Sequence, residues 1–430
     1  MKNIKQTTLA FIVFISSTTL LYSQEDLKSR IELLPGILSV ERIESDSEFI
    51  DDFKISIEQP VDHNTPNGKK FKQKFYLSHK DESLPMVIEL AGYNIDYNRK
   101  NELASILKCN KIVVEHRYFG ESRPDSIYWN FLTVEQAAKD HHKIIETMKM
   151  IYDKQWVTTG ISKGGQTTYI YKYYFPDDVD ASVCYVSPLN LTAEDPRVYH
   201  FLDNVGTAEC REKMIQFQRE VIKRGDEILP MFIEDTENSG YTYSISNYRF
   251  IYEFVVLEYG FAFWQWQYTN CSQIPDTTAS NDDLFEHLKK GSSFKYFSDQ
   301  DIANNLPFIY QAYSQMGYYG YDISNFKDLL KEVKEPTSRI FLPKYMNPEF
   351  DCCIMQEINS WIQKHGNNMI FIYGEIDAWS ATAVELTGET NAIKMVKTGG
   401  NHRTRINSFN EKDRALIIDT LEEWLDYQIP

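Results

Sequence analysis

The most restrictive stretch of this chain is a short apolar run, Trp156-Val157-Thr158-Thr159, that ends in Gly160-Ile161-Ser162-Lys163-Gly164-Gly165 and passes into the helical spacing of Gln166-Thr167-Thr168-Tyr169-Ile170-Tyr171. It reads as a buried strand, a sharp turn carrying a serine, and the start of a helix. Gly160 to Gly164 fits the G-x-S-x-G pattern, in which flanking glycines let the backbone turn tightly and lift the serine hydroxyl above a sheet. The helix start behind it aims free N–H groups and the positive end of its dipole at any anion forming there. A glycine-rich turn with an incidental serine has the same short pattern, so the rest of the chain must decide.

Further short apolar segments occur at Pro85-Met86-Val87-Ile88-Glu89-Leu90-Ala91, Lys111-Ile112-Val113-Val114-Glu115, 183–188, Met369-Ile370-Phe371-Ile372-Tyr373-Gly374 and Ala392-Ile393-Lys394-Met395-Val396. Strands that are apolar on both faces and alternate with helical stretches imply an α/β fold with a mostly parallel sheet covered by helices. Residues 25–34 have helical spacing, and Thr133 with Gln136 makes a capping box for the helix that follows. Phe53-Lys54-Ile55-Ser56-Ile57 and Phe71-Lys72-Gln73-Lys74-Phe75-Tyr76-Leu77 alternate with period two around Asn67-Gly68, which predicts antiparallel strands at a sheet edge. Residues 191–348 are rich in aromatics, amides and acids, with helical stretches and no short buried strand. The expected organisation is a signal peptide over 1–23, the first part of the sheet domain over 24–190, a helical cap inserted over 191–348, and the second part of the sheet domain over 349–430.

A net charge of −17 over 430 residues argues against nucleic acid as a partner, since phosphate binding needs a basic surface. Lys2 and Lys5 precede Leu9-Ala10-Phe11-Ile12-Val13-Phe14-Ile15 and then small and polar residues, the form of an export signal cleaved near Ser23. An uncleaved anchor is the alternative, although the apolar run is short for a span, and no later segment reads as transmembrane. The mature protein is expected outside the cytoplasm, periplasmic or extracellular. Of the six cysteines, Cys210 and Cys271 are the expected pair, and Cys184 is expected as a buried free thiol. The partners of Cys352 and Cys353 cannot be read. With no C-x-x-C and no H-E-x-x-H, neither a metal nor another cofactor is expected.

A serine becomes nucleophilic when a base removes its proton and an acid holds that base in the right tautomer. In the arrangement built on G-x-S-x-G, acid and base follow the serine in chain order, each on a loop after a strand. Here the loops are Gly374-Glu375-Ile376-Asp377-Ala378-Trp379 and Gly399-Gly400-Asn401-His402, which assigns Ser162 as nucleophile, Asp377 as orienting acid and His402 as general base. Glu375 is the alternative acid. The backbone N–H groups of Lys163 and Tyr93 are the expected oxyanion donors, the Lys163 side chain being read as solvated. Trp264, Trp266 and Trp379 are candidates for lining a substrate pocket, against the alternative that they only pack.

Several stretches together resemble the secreted serine peptidases of the prolyl tri/tetrapeptidyl aminopeptidase family, relatives of lysosomal prolyl carboxypeptidase and dipeptidyl peptidase. They are Gln59-Pro60-Val61-Asp62-His63, Gly92-Tyr93-Asn94, Glu115-His116-Arg117-Tyr118-Phe119-Gly120-Glu121-Ser122-Arg123-Pro124, Leu132-Thr133 with Gln136-Ala137-Ala138 and Asp140-His141-His142, the Ser162 turn, Phe263-Trp264-Gln265 and the Asp377 loop. The resemblance implies an α/β-hydrolase with a helical cap that releases short peptides, by preference after proline, from free N-termini. It places Ser162, Asp377 and His402 on the family's catalytic positions. It also implies an acid that binds the substrate's amino group, with Glu253, Glu258 and Asp301 left open. An esterase and a non-catalytic binding protein of the same fold are the competing readings, and the oligomeric state is not legible.

Overall fold

The structure, a computed structural model, describes residues 26–430; the expected signal peptide over 1–23 lies outside the described residues. Its strands are β1 (Ile37–Ile43), β2 (Asp51–Pro60), β3 (Lys70–His79), β4 (Met86–Leu90), β5 (Asn110–Val114), β6 (Trp156–Ile161), β7 (Ala181–Tyr185), β8 (Met369–Gly374) and β9 (Ile393–Lys397). They form one nine-stranded sheet in the order β1-β2-β3-β5-β4-β6-β7-β8-β9. β1, β2, β3 and β5 pair antiparallel, and from β5 across to β9 every pair is parallel. Every residue of β4, β5, β7 and β8 is buried, as a strand covered on both faces requires.

The helices are α1 (Leu27–Glu32), α2 (Glu102–Leu107), α3 (Val134–Lys149), α4 (Lys163–Tyr174), α5 (Arg197–Leu202), α6 (Ala208–Lys223), α7 (Gly225–Asn238), α8 (Tyr248–Trp266), α9 (Asn281–Gly291), α10 (Asp299–Gln311), α11 (Ile354–His365) and α12 (Glu411–Leu425). α5 to α10 lie between β7 and β8 in the chain, and that stretch contributes no strand to the sheet. Its own core is built around α8, whose buried face runs from Ile251 to Trp264 and includes Phe254, Tyr259 and Phe261. A helix apolar on most sides has to be enclosed by others, and α6, α7 and α9 pack against it. The expected Cys210–Cys271 disulfide joins α6 to the turn after α8, with the Cα atoms 5.4 Å apart. Cys184 is a buried free thiol, and Cys352 and Cys353 are free and exposed. No helix among the described residues is long and apolar enough to cross a membrane.

Two details depart from expectation. β1 was not foreseen because only Val40 of its seven residues is buried, so no alternation marks it. The Thr133 hydroxyl accepts from Gln136 N as a cap should, but the Gln136 side chain does not close the box. It turns away to accept from His63 N at 2.9 Å and to donate to Asp62 at 2.9 Å.

Candidate active site

Parallel strands deliver their following loops to one edge of the sheet, the usual place for ligands in open α/β folds. The turn after β6 puts Ser162 at φ 58°, ψ −123°, a region a non-glycine residue occupies at a cost of about 1–3 kcal/mol. It is held there by its own N–H bonding Tyr185 O at 2.9 Å and its carbonyl accepting from Gln166 N at 3.0 Å. Tight passage explains the first glycine: a Cβ on Gly160 would stand 2.2 Å from the Gly164 carbonyl oxygen.

Asp377 and His402 come from the loops after β8 and β9. Backbone bonds Glu375 N to Lys397 O and Ile376 N to Gly400 O, each 3.0 Å, lay the two loops side by side. Fully buried Asp377 accepts from His402 Nδ1 at 2.7 Å through Oδ2, and from Trp379 N at 3.1 Å through Oδ1. With Nδ1 so engaged, Nε2 is the nitrogen left for chemistry. Glu375, the alternative acid, points elsewhere and accepts from Gly399 N at 2.7 Å. The other side of the histidine loop is clipped to the end of α8. His402 N donates to Gln265 O at 3.0 Å, Asn401 Nδ2 donates to Trp266 O at 3.1 Å, and the Trp266 ring meets His402 edge-on at 5.3 Å.

The loop after β4 presses on the start of α4. A Cβ at Gly92, whose φ is +77°, would lie 2.7 Å from Gly164 N and 2.9 Å from the Lys163 carbonyl carbon. Lys163 opens α4, so its N–H is one of the first-turn amides with no intrahelical acceptor. Tyr93 follows Gly92, and it lines the same cavity as Ser162. Burial pushes the Tyr93 phenol's pKa up, which keeps it protonated.

The Lys163 side chain is not solvated as expected. It is 1% exposed, donates from Nζ to Gly92 O at 2.7 Å, and lies over the rings of Tyr93 and Phe119 at 5.7 and 5.4 Å. Burial, with no acid beside it, holds the amine well below its usual range. Two buried histidines nearby, His116 and His141, are also pushed down by burial and by this lysine.

The charged and aromatic loop after β5 turns out to be scaffolding. Arg117 and Asp140, both fully buried, pair through Nε to Oδ2 at 2.6 Å and Nη2 to Oδ1 at 2.8 Å, and His63 Nε2 adds a third contact to Asp140 at 2.7 Å. Buried Glu115 accepts from the N–H groups of Ile95, Glu121 and Ser122, each at 2.9 Å, and pairs with Lys74 at 3.0 Å. Gln59 and Gln73 join the two clusters, Gln59 Nε2 donating to Asp140 O and to Gln73 Oε1, and Gln73 Nε2 donating to Glu115 O, each at 2.9 Å.

Ser162, Tyr93, His402, Trp266 and Trp379 line one cavity of about 910 Å³ beneath α8 and α10. Trp264 does not. Two residues from Trp266 on a helix is a turn of about 200°, so its ring faces the opposite side, packed on Gly206 beside a smaller depression of about 280 Å³. The three open acids also separate. Glu253 is spent on the N–H groups of Lys331, Glu332 and Val333 at 2.8–3.0 Å and is not in the cavity wall. Asp301 lines the cavity, bonded to Asn305 at 3.1 Å and 3.9 Å from Lys295. Glu258 lines it too, 6% exposed, accepting from the phenols of Tyr319 at 3.0 Å and Tyr321 at 2.8 Å. Burial outweighs those two bonds and pushes its carboxyl up to about 7. The tyrosines around it were not singled out from the sequence, since 28 of them are scattered along the chain.

Residues 23–427 match the family described as PS-10 peptidase S37. Over 408 residues the chain is 31% identical to the prolyl tri/tetrapeptidyl aminopeptidase of Streptomyces mobaraensis, covering 93% of this chain and 85% of that protein. A shorter match of 154 residues at 28% identity is to the lysosomal Pro-X carboxypeptidase of Bos taurus, 31% of each chain. Among solved structures, the proline iminopeptidase of Mycobacterium smegmatis superposes with a TM-score of 0.41 at 13% identity, over 86% of this chain and 98% of that one.

Proposed function

Because this chain belongs to the PS-10 peptidase S37 family of serine peptidases, we propose that it is an exported aminopeptidase that releases tri- or tetrapeptides from free N-termini, by preference after proline, through an acyl-enzyme. The observation that carries this reading is the pairing, in one cavity, of Ser162 and the Asp377-supported His402 with a buried acid, Glu258, that has no cation beside it among the described residues. His402 Nε2 takes the proton of Ser162 as Oγ attacks the scissile carbonyl, and Asp377 stabilises the imidazolium. The N–H groups of Lys163 and Tyr93, with the Tyr93 phenol, stabilise the oxyanion. His402 then protonates the leaving amine, and water releases the acyl product by the same route in reverse.

Glu258 supplies the exopeptidase character. A substrate's ammonium group is the missing counter-charge for a buried carboxylate, and a blocked N-terminus forfeits that contact. Trp379 with Tyr318 and Tyr319, whose rings lie 5.3–5.6 Å from it, forms an aromatic wall suited to a flat proline ring. Export is supported by the leader over 1–23 and by the Cys210–Cys271 disulfide, which suits an oxidising compartment. The test is hydrolysis of anilide reporters carrying a free tripeptide that ends in proline, set against N-acetylated copies and short-chain esters. Cleavage confined to the free-amine peptides is expected; faster cleavage of esters or of acetylated peptides would replace this reading with an esterase or an endopeptidase.

Lys163 acts on this chemistry through the Gly92 carbonyl, which fixes the peptide plane that presents Tyr93 N–H. In Lys163→Met the carbonyl loses its donor and the plane is freed. Steady-state kinetics are expected to show kcat down by about 10- to 100-fold with KM within a factor of about 3, the signature of a contact that matters in the transition state.

A further inference from the structure

The leaving half of a peptide attacked by Ser162 has to pass the His402 loop, because the imidazole that takes the hydroxyl proton must hand it to the departing amine. The next side chain on that loop is Arg403. It is exposed, lines the same cavity as Ser162 and His402, and holds its guanidinium 5.8 Å from the ring centre of Trp266 and 4.8 Å from that of Tyr268. Stacking on two rings keeps the fork oriented without using its N–H groups.

Among the described residues Arg403 is the one arginine whose guanidinium neither donates a hydrogen bond to the protein nor pairs with a carboxylate. Acids are plentiful in a chain of net charge −17, and Arg42, Arg117, Arg197, Arg219, Arg224 and Arg249 each have one. The two other arginines in the cavity wall are committed: Arg99 to Glu89, and Arg405 to the carbonyls of His402 at 3.2 Å and Thr404 at 2.7 Å. An oriented cation with no acid partner among the described residues thus stands beside the histidine in the wall of the cavity that also holds Glu258.

We infer that Arg403 receives a carboxylate of the leaving peptide, so that the enzyme favours substrates with an acidic residue just past the scissile bond or with a C-terminus close enough to reach it. The inference rests on the aminopeptidase reading above. Its test uses one N-terminal tripeptide ending in proline, joined to leaving groups Glu-amide, Lys-amide, Ala-amide and Ala free acid, with an uncharged anilide as reference. Wild-type kcat/KM is expected to be about 10-fold higher for Glu-amide than for Lys-amide, the difference shrinking as salt is raised. A gain of Ala free acid over Ala-amide assigns the carboxylate to the C-terminus, and a gain of Glu-amide alone assigns it to the side chain. In Arg403→Glu the Glu/Lys ratio is expected to invert, and in Arg403→Met to fall to about 1; a ratio within one variant cancels any general loss of activity. Equal rates for all four peptides with the anilide cleaved would overturn this inference alone, as would a Glu preference that both variants keep. An uncleaved anilide would overturn the aminopeptidase reading and the inference with it.

Discussion

Ser162→Ala is expected to lower kcat by about 10⁴- to 10⁶-fold while the thermal melt stays within a few degrees of wild type or rises. The expected loss follows from removing the hydroxyl on which the proposed acyl-enzyme is built, and from comparable serine hydrolases in which the residual rate comes from oxyanion donors and binding alone. The stability expectation has a separate source. Ser162 sits at φ 58°, and alanine bears the same backbone strain while shedding only the hydroxyl. Labelling by a fluorophosphonate probe gives the check. Wild type should be labelled at one site and Ser162→Ala not at all; a labelled Ser162→Ala protein would mean that another residue is the nucleophile. Asp377→Asn should cost about 10⁴-fold with labelling slowed in proportion, because an amide leaves His402 in the wrong tautomer.

Glu258→Gln is the second large effect, and it is expected to act in opposite directions on activity and stability. For free-amine peptides kcat/KM should fall about 100- to 1,000-fold, carried mostly by KM, since a neutral amide cannot balance the bound ammonium group. In wild type the carboxyl titrates up at about 7, so below that pH it is protonated, the attraction weakens, and KM should rise as pH falls through 7. In Glu258→Gln that part of the KM profile should be flat. For stability the sign reverses. An acid raised from 4.5 to about 7 by folding is most comfortable at low pH, and its share of stability is lost as pH rises from 4.5 to about 7. Above pH 7 the folded protein therefore bears about 3 kcal/mol of ionisation cost that glutamine lacks. Glu258→Gln should melt higher than wild type at pH 8 and similarly at pH 4.5. An unchanged KM, with or without the gain in stability, would transfer the amine-binding role to Asp301.

How much of this was visible in the sequence depends on whether a residue's role is set by near neighbours. β4 to β8 announced themselves because a strand covered on both faces must be apolar throughout, and the loops after β6, β8 and β9 followed from that. Lys163 was misread because its surroundings, Gly92, Tyr93 and Phe119, come from two other loops, and nothing local says that a lysine behind a serine will be buried. Trp264 and Trp266 looked equivalent as a pair of aromatics, and only the helical phase of α8 separates them. The choice among Glu253, Glu258 and Asp301 was closed to sequence reasoning for a similar reason. It turns on which of them other chain segments have already satisfied: the N–H groups at 331–333 do so for Glu253, while phenols from 319 and 321 leave Glu258 with a charge unbalanced.

The clip between the end of α8 and the histidine loop has a consequence for timing. The carbonyls of Gln265 and Trp266 accept from His402 N and from the Asn401 side-chain amide, so the end of α8 and the His402 loop are tied into one mechanical unit. A swing of α8 away from the sheet would have to break these two bonds or carry the imidazole with it. On the mechanism proposed above, a guest that held α8 away from the sheet would hold His402 away from Ser162 as well.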